Sequence, residues 1–151
     1  MKSVKTINLV TKSFIVLSAF SFLSVSLMAF INPQSVMDLV KVQLQNNDAY
    51  SSIRGVYGGV GLSLFISLIY SLKNYRIQGL GLLCLLWGFY SVSRIFTIYK
   101  EGALGSFGYQ WLFIETSFFL ISLVLFQINR RRTVLVKKEI LSDNPLTIKA
   151  I

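Results

Sequence analysis

The chain has 151 residues, of which 54% are hydrophobic and only 14% are charged, and its mean hydropathy is +0.63. Soluble globular domains rarely reach these values, so the composition predicts an integral membrane protein. The sequence contains no histidine, which excludes His-ligated haem, most zinc and copper sites, and the Ser-His-Asp and Cys-His catalytic arrangements.

Other chemical motifs are equally scarce. The single cysteine, Cys84, falls in an apolar segment, so the chain has neither an intrachain disulfide nor a CxxC redox pair. No glycine-rich phosphate loop occurs. The net charge of +9 is concentrated beside apolar segments, where membrane topology explains it better than nucleic-acid binding does. We therefore expect no cofactor, no metal, no catalytic residue and no nucleic-acid partner.

Four apolar segments, each about 20 residues long, lie at about residues 13–31, 55–72, 77–96 and 109–129. At about 1.5 Å of rise per residue, each can cross a hydrocarbon core about 30 Å thick as a helix. The first is too long for the apolar region of a cleaved signal peptide, and Leu27-Met28-Ala29 is a poor cleavage site, so we expect an uncleaved helix. The prediction is an all-α, polytopic four-helix bundle over residues 1–129, followed by a basic tail over residues 130–151.

The lysines and arginines predict the orientation of this bundle. With the N-terminus in the cytoplasm, 11 of the 15 lie on the cytoplasmic side, namely Lys2, Lys5, Lys12, Lys73, Arg76, Arg130, Arg131, Arg132, Lys137, Lys138 and Lys149. The positive-inside rule therefore favours both termini in the cytoplasm and a cytoplasmic tail.

The first outer loop, residues 32–53, predicts a short interfacial helix. Asn32 is a good N-cap, and Pro33 suits the first helical position. Apolar residues over 36–44 would place such a helix on the membrane surface, and a half-buried strand is the alternative.

The second and third segments carry small residues at helical spacing, namely Gly55, Gly59, Ser63 and Ser67 in the second, and Gly81 and Gly88 in the third. Small residues on one helix face let a neighbouring helix approach closely in lipid. Residues 73–76 leave room only for a tight turn between the two segments. We therefore expect these two helices to pack closely against each other through these faces.

Ionisable side chains lie near the outer ends of the segments. Glu115 is the only acid within them, and a carboxylate facing lipid there would cost about 2.5–3.5 kcal/mol, so it should face the bundle interior and pair with a cation. Arg94 and Arg54 are the basic residues near its level. We expect close packing at the glycines to bring Arg54 toward Glu115 and Arg94, with Tyr57 and Tyr90 adding hydroxyls.

This predicted cluster has three interpretations. In the first, Arg54 reaches the outer head groups, and an Arg94–Glu115 pair only fixes the helix register. In the second, the excess positive charge binds a small anion or a lipidic head group. In the third, Glu115 belongs to a proton- or ion-coupled pathway.

The residues of this cluster also carry a resemblance. The stretch Ile53-Arg54-Gly55-Val56-Tyr57-Gly58-Gly59, with Arg94, Gly102 and Glu115, resembles the four-helix membrane family known as domain of unknown function 4345, over about residues 14–126. The resemblance implies a small four-span protein of the bacterial cytoplasmic (inner) membrane, related in fold to DoxX-like proteins, with Arg54, Tyr57, Arg94 and Glu115 at the family's polar positions. It implies no activity. Ser63 and Ser67 replace mid-span glycines of the family pattern.

Three functions from different classes remain open. The first is a non-catalytic accessory subunit or a binder of a lipophilic ligand, whose partners would be membrane lipids, other membrane subunits or a second copy of the chain. It is favoured because no other reactive group is present. The second is a small ion- or proton-coupled transporter, against which the lack of an inverted repeat argues. The third is an enzyme acting on a lipid or quinone, with Glu115 as general acid or base.

Overall fold

The chain is helical almost throughout in a computed structural model, which describes the backbone of residues 2–143 and the side chains of residues 4–135. The helices are α1 (Lys2–Ile31), α2 (Pro33–Asp38), α3 (Asn47–Ile53), α4 (Val60–Asn74), α5 (Arg76–Glu101) and α6 (Ser106–Asp143). A π-helical segment, Arg54–Gly59, joins α3 to α4 without a break. No strand occurs in the described residues, so the all-α prediction is confirmed there.

Four helical elements are long and apolar enough to cross a membrane, namely Val4–Ile31, Asn47–Asn74, Arg76–Glu101 and Ser106–Leu135. Each contains one predicted apolar segment and extends beyond it, because backbone hydrogen bonding continues where hydropathy falls. The helix α6 continues past residue 129, where the predicted membrane domain ends, as far as Asp143. Residues 144–151 of the predicted tail lie outside the described residues.

Local sequence explains where several helices begin and end. The side-chain oxygen of Asn32 accepts a hydrogen bond from the Gln34 N–H at 3.2 Å before α2, and that of Asn46 accepts one from the Ala49 N–H at 2.8 Å before α3. After α5, Gly102 has a φ of 100°, which favours glycine.

The short helix predicted in the first outer loop is present as α2. Its apolar residues Val36 and Met37 are buried against Ala29 near the end of α1. The N–H of Leu44 donates to the side-chain oxygen of Gln34 at 2.9 Å, which holds the following chain against α2. This helix therefore closes one end of the bundle.

The most extensive helix packing joins α1 with α4 and α5 with α6. The second and third segments are neighbours, but they approach closely near their turn, where Gly79 of α5 lies against Ser71 of α4, and not through the predicted glycine faces. A Cβ added to Gly61 of α4 would lie 3.1 Å from Cβ of Ser26 in α1. A Cβ added to Gly88 of α5 would lie 3.2 Å from the ring of Phe119 in α6, and Gly81 likewise faces α6. Gly81 and Gly88 of α5 thus make room for α6, because the Phe126 and Phe119 rings of α6 pack directly over them.

Four residues of the predicted small-residue face of the second segment have no close packing partner among the described residues, whereas Ser71, further along the same face, is buried against Gly79 of α5. No heavy atom lies within 4 Å of a Cβ added to Gly55 or Gly59, and Ser63 and Ser67 are exposed. We call these four residues the α4 open face, although Gly55 and Gly59 belong to the π-helical segment that continues into α4. The helix has a second face of small residues, which contains Gly58 and Gly61, and α1 packs on that one.

The bundle core is apolar and lies between the long helices. Ile15, Leu68, Leu80 and Leu83 have no solvent exposure. Above them, the Trp87 ring lies 5.3 Å from the Phe22 ring and 5.1 Å from the Phe118 ring, centroid to centroid, in a group that we call the aromatic layer.

The bundle has two distinct ends. The loop end holds α2, α3 and the connection between α5 and α6. The terminal end holds the start of α1, the α4–α5 turn and the last part of α6. At the terminal end, Asn129 Nδ2 donates to Thr11 Oγ1 at 3.0 Å and so links α6 to α1.

Replacement of Gly61 by leucine should destabilise the fold, whereas the same replacement of Gly59 should not. At Gly61 the side chain would meet Ser26 and the carbonyl oxygen of Phe22, and such overpacking costs about 1–3 kcal/mol. At Gly59 it would enter open space. The free energy of unfolding in detergent micelles, measured by titration with a denaturing detergent, checks this. Equal losses in the two variants would contradict the packing of α1 on the Gly61 face.

Candidate functional site

The π-helical segment brings the second span against α1 at the loop end. The Ser26 hydroxyl donates to the carbonyl oxygen of Gly58 at 2.6 Å. A Cβ at Gly58 would lie 3.1 Å from the ring of Phe30, so glycine is needed for this approach. Because a π-helical turn departs from the regular i→i+4 hydrogen-bond ladder, the Ser26 hydroxyl helps to satisfy the backbone there.

Arg54 binds the end of α1 and not the acid. Its Nε donates to the carbonyl oxygen of Phe30 at 3.4 Å, one residue before α1 ends at Ile31. Carbonyls in the last turn of a helix lack helical partners, and the helix dipole favours a cation there. No hydrogen bond or ion pair of the described residues joins Arg54 to Glu115 or Arg94. The predicted approach of Arg54 to that pair is therefore not seen, because its guanidinium donates to the end of α1 instead.

Arg94 and Glu115 form a two-pronged ion pair between α5 and α6. Arg94 Nε donates to Oε2 of Glu115 at 2.6 Å, and Arg94 Nη2 donates to Oε1 at 2.9 Å. The Glu115 side chain is only 4% exposed, whereas that of Arg94 is 25% exposed. Both carboxylate oxygens are therefore engaged, and one edge of the guanidinium remains open.

A second polar contact lies one turn away from the ion pair. The Thr116 hydroxyl donates to the Ser91 hydroxyl oxygen at 3.3 Å, and the Ser91 hydroxyl donates to the carbonyl oxygen of Trp87 at 3.0 Å. The indole N–H of Trp87 is buried and has no hydrogen-bond partner among the described residues. The aromatic layer thus lies directly on the core side of the polar groups and separates them from the terminal end.

Two tyrosines lie near the ion pair. Tyr90 is one turn before Arg94 on α5 and lies near Glu115 and Tyr57. Tyr90 is 43% exposed and Tyr57 is 40% exposed. The structure therefore pairs Arg94 with Glu115, places Tyr90 near them and Tyr57 near Tyr90, and leaves Arg54 apart. We call Tyr57, Tyr90, Arg94 and Glu115 the loop-end cluster.

The chemistry open to this cluster is binding of an anion or of a hydrogen-bonding head group. The guanidinium of Arg94 carries further N–H donors on Nη1 and Nη2 beyond the two used by Glu115. The tyrosine hydroxyls can donate or accept. Among the described residues, no group of three or more His, Cys, Asp or Glu side chains is placed to hold a metal ion.

Sequence reasoning missed three residues that position this site, namely Ser26, Gly58 and Trp87. Ser26 is one of several serines in α1, so nothing in the sequence distinguishes it. Gly58 lies outside the four-residue spacing that defined the predicted packing face. Trp87 could have been found as the aromatic residue seven positions before Arg94, which places both on one side of α5.

The long apolar helices, their shared core and the buried Arg94–Glu115 pair define a small polytopic α-helical membrane protein. Residues 10–126 match the family described as Domain of unknown function (DUF4345), and the chain belongs to that family. The match confirms the resemblance predicted from the sequence. No curated protein and no solved structure matches the chain, so the implied relation to DoxX-like proteins stays a prediction.

The two single replacements of the ion pair should differ in cost. Arg94→Gln leaves the buried carboxylate of Glu115 without its partner, so it should lower the free energy of unfolding by about 3–5 kcal/mol. Glu115→Gln leaves the partly exposed Arg94 side chain, whose guanidinium can reach water or head groups. It should therefore lower the free energy of unfolding by only about 1 kcal/mol. The measurement is the free energy of unfolding in micelles.

The double variant Arg94→Gln/Glu115→Gln serves as the control for this pair. Because it leaves no unpartnered charge, it should be more stable than Arg94→Gln alone. Additive losses in the double variant would contradict a direct interaction between the two side chains.

Proposed function

We propose that the protein is a non-catalytic membrane protein that binds the anionic head group of a lipid or another lipophilic molecule at the loop-end cluster. The proposal rests on one observation. The Arg94 guanidinium donates to Glu115 through Nε and Nη2 only, and the Arg94 side chain is 25% exposed, whereas that of Glu115 is 4% exposed. A guanidinium that is fixed by an ion pair and still has free N–H donors suits a phosphate or carboxylate, because its parallel N–H groups can donate two hydrogen bonds to the oxygens of these anions.

The neighbouring tyrosines support a head group in particular. Tyr90 lies near Glu115, Tyr57 lies near Tyr90, and the two tyrosines are 43% and 40% exposed. Their rings provide apolar contact area and their hydroxyls provide hydrogen bonds, a combination typical of the membrane interface. A ligand with an apolar part and an anionic head group would therefore fit the tyrosines and the Arg94 guanidinium together.

Transport across the bundle is less well supported. On the core side of Glu115 lie the stacked rings of Phe22 and Trp87, and beyond them Leu80 and Leu83 are fully buried. A polar route would have to cross these packed layers. Catalysis is also less well supported, since both oxygens of Glu115 already accept hydrogen bonds from Arg94.

We propose the bacterial cytoplasmic membrane as the location, with both termini in the cytoplasm. The terminal end carries most of the basic residues, while Asp38, Asp48 and Glu101 lie at the loop end. The positive-inside rule then assigns the loop end to the outer side. The loop-end cluster would take its ligand from the outer leaflet.

Fluorescence quenching by brominated lipids can test this proposal. Of the two tryptophans, Trp111 lies one turn before Glu115 and is half-buried, so it reports on lipid near the loop-end cluster, whereas Trp87 is only 4% exposed and contributes less. Brominated phosphatidylglycerol should quench them more strongly than brominated phosphatidylcholine at equal mole fraction. The variant Tyr57→Phe/Tyr90→Phe should weaken this preference about tenfold, because it removes two hydroxyl donors worth about 0.5–1.5 kcal/mol each.

The matched control is Tyr70→Phe/Tyr75→Phe, which removes two hydroxyls from a stacked pair near the terminal end. It should leave the preference unchanged. Equal quenching of the wild-type protein by the two lipids would contradict the proposed function, as would an unchanged preference in the Tyr57→Phe/Tyr90→Phe variant.

The α4 open face favours a second function, that of an accessory subunit. Its small residues are the kind that drive helix association in lipid, and none of the described helices covers them. Purification in mild detergent should recover a partner chain or a second copy with the wild-type protein. Gly59→Leu should abolish the recovery by blocking close approach, whereas Val60→Leu, on an exposed neighbour, should not. Monomeric wild-type protein without a partner would rule out this role.

A further inference from the structure

The terminal end of the bundle has an uncompensated positive charge. Among the side chains that the structure describes, the acids Asp38, Asp48, Glu101 and Glu115 all lie in the half of the bundle nearer the loop end. The terminal half contains only cations, namely Lys5, Lys12, Lys73, Arg76, Arg130, Arg131 and Arg132. No ion pair within the described residues involves any of these cations. Their counter-charge must therefore come from outside the described part of the chain.

The last part of α6 concentrates this charge in a groove. The groove has a volume of about 420 Å³ and is lined by Gln127, Arg130, Arg131, Val134 and Leu135. These positions follow the spacing of a single helix face. The Arg130 and Arg131 side chains thus line one open groove, beside apolar side chains that are 49% exposed at Val134 and 64% exposed at Leu135.

The opposite side of α6 is engaged with the protein. Asn129 donates to Thr11 of α1 at 3.0 Å, and Arg132, one turn further along, is half-buried. Arg130 and Arg131 are exposed and make no hydrogen bond among the described residues. The groove therefore faces away from the bundle.

We propose that this groove binds the phosphate of an anionic phospholipid. Each guanidinium can hold a phosphate through two parallel hydrogen bonds. The site directly follows a membrane-spanning segment, where head groups are expected, and two exposed apolar residues share its surface. A soluble anion would gain nothing from Val134 and Leu135, so the mixture of guanidiniums and apolar surface favours a lipid. The site lies at the opposite end of the molecule from the loop-end cluster and does not depend on the function proposed there.

Native mass spectrometry of the full chain in mild detergent, titrated with phosphatidylglycerol, tests this site. The variant Arg130→Gln/Arg131→Gln should weaken the apparent affinity about thirtyfold, at about 1 kcal/mol for each basic residue near an anionic surface. The matched control is Arg76→Gln/Arg132→Gln, which removes the same charge outside the groove and should leave the affinity nearly unchanged. Phosphatidylcholine should bind far more weakly than phosphatidylglycerol.

A second measurement uses only the wild-type protein, so it does not depend on the folding of any variant. Phosphatidylglycerol with a photoreactive group near its phosphate should form adducts mainly within residues 127–135. Equal weakening by the two double variants, or adducts spread over all the basic residues, would overturn the proposal. Displacement of the lipid by millimolar inorganic phosphate would overturn it in favour of a free anion.

Discussion

A carboxylate in an apolar bundle must be neutralised by a fixed partner, and this requirement organises the loop half of the protein. The Glu115 side chain is 4% exposed, and its two oxygens accept hydrogen bonds only from Arg94. Because one residue belongs to α5 and the other to α6, the pair fixes the register of these two helices. The contact between Ser91 and Thr116 and the packing of Gly88 against Phe119 continue the same interface. The orientation of Arg94, and with it the open edge of its guanidinium, follows from this pairing.

The sequence was sufficient for the features that depend on solvation. Hydropathy predicted the four long helices, and the cost of an unpaired charge in lipid predicted an inward-facing Glu115. It was insufficient where several partners were chemically equivalent. Arg54 could neutralise an acid or bind the carbonyls at the end of a helix, and only the position of Phe30 decides between them. Two faces of the second span carry small residues, and the Ser26 hydroxyl, which meets the Gly58 carbonyl, selects the face that packs.

The π-helical segment explains the arginine that precedes the glycines in this span. The glycine at position 58 lets the Phe30 ring approach the backbone, and the same approach brings the end of α1 within reach of Arg54. Gly58 and Arg54 thus serve one contact with α1. Three surfaces have no packing partner among the described residues. They are the exposed part of Arg94, the α4 open face and the basic groove of α6. These surfaces, and not a route through the packed core, are where the protein can meet lipids or partners.

Solid-state NMR on protein in lipid bilayers can test the central pairing directly. With ¹⁵N in arginine and ¹³C in the glutamate carboxyl groups, the dipolar coupling between guanidinium nitrogens and a carboxyl carbon reports their separation, and Glu115→Gln identifies the signal of Glu115. The N···O distances of 2.6 and 2.9 Å predict strong coupling of the Glu115 carboxyl carbon to two nitrogens of one arginine, and its loss in Arg94→Lys. A Glu115 carboxyl carbon without coupling to any guanidinium would contradict the account.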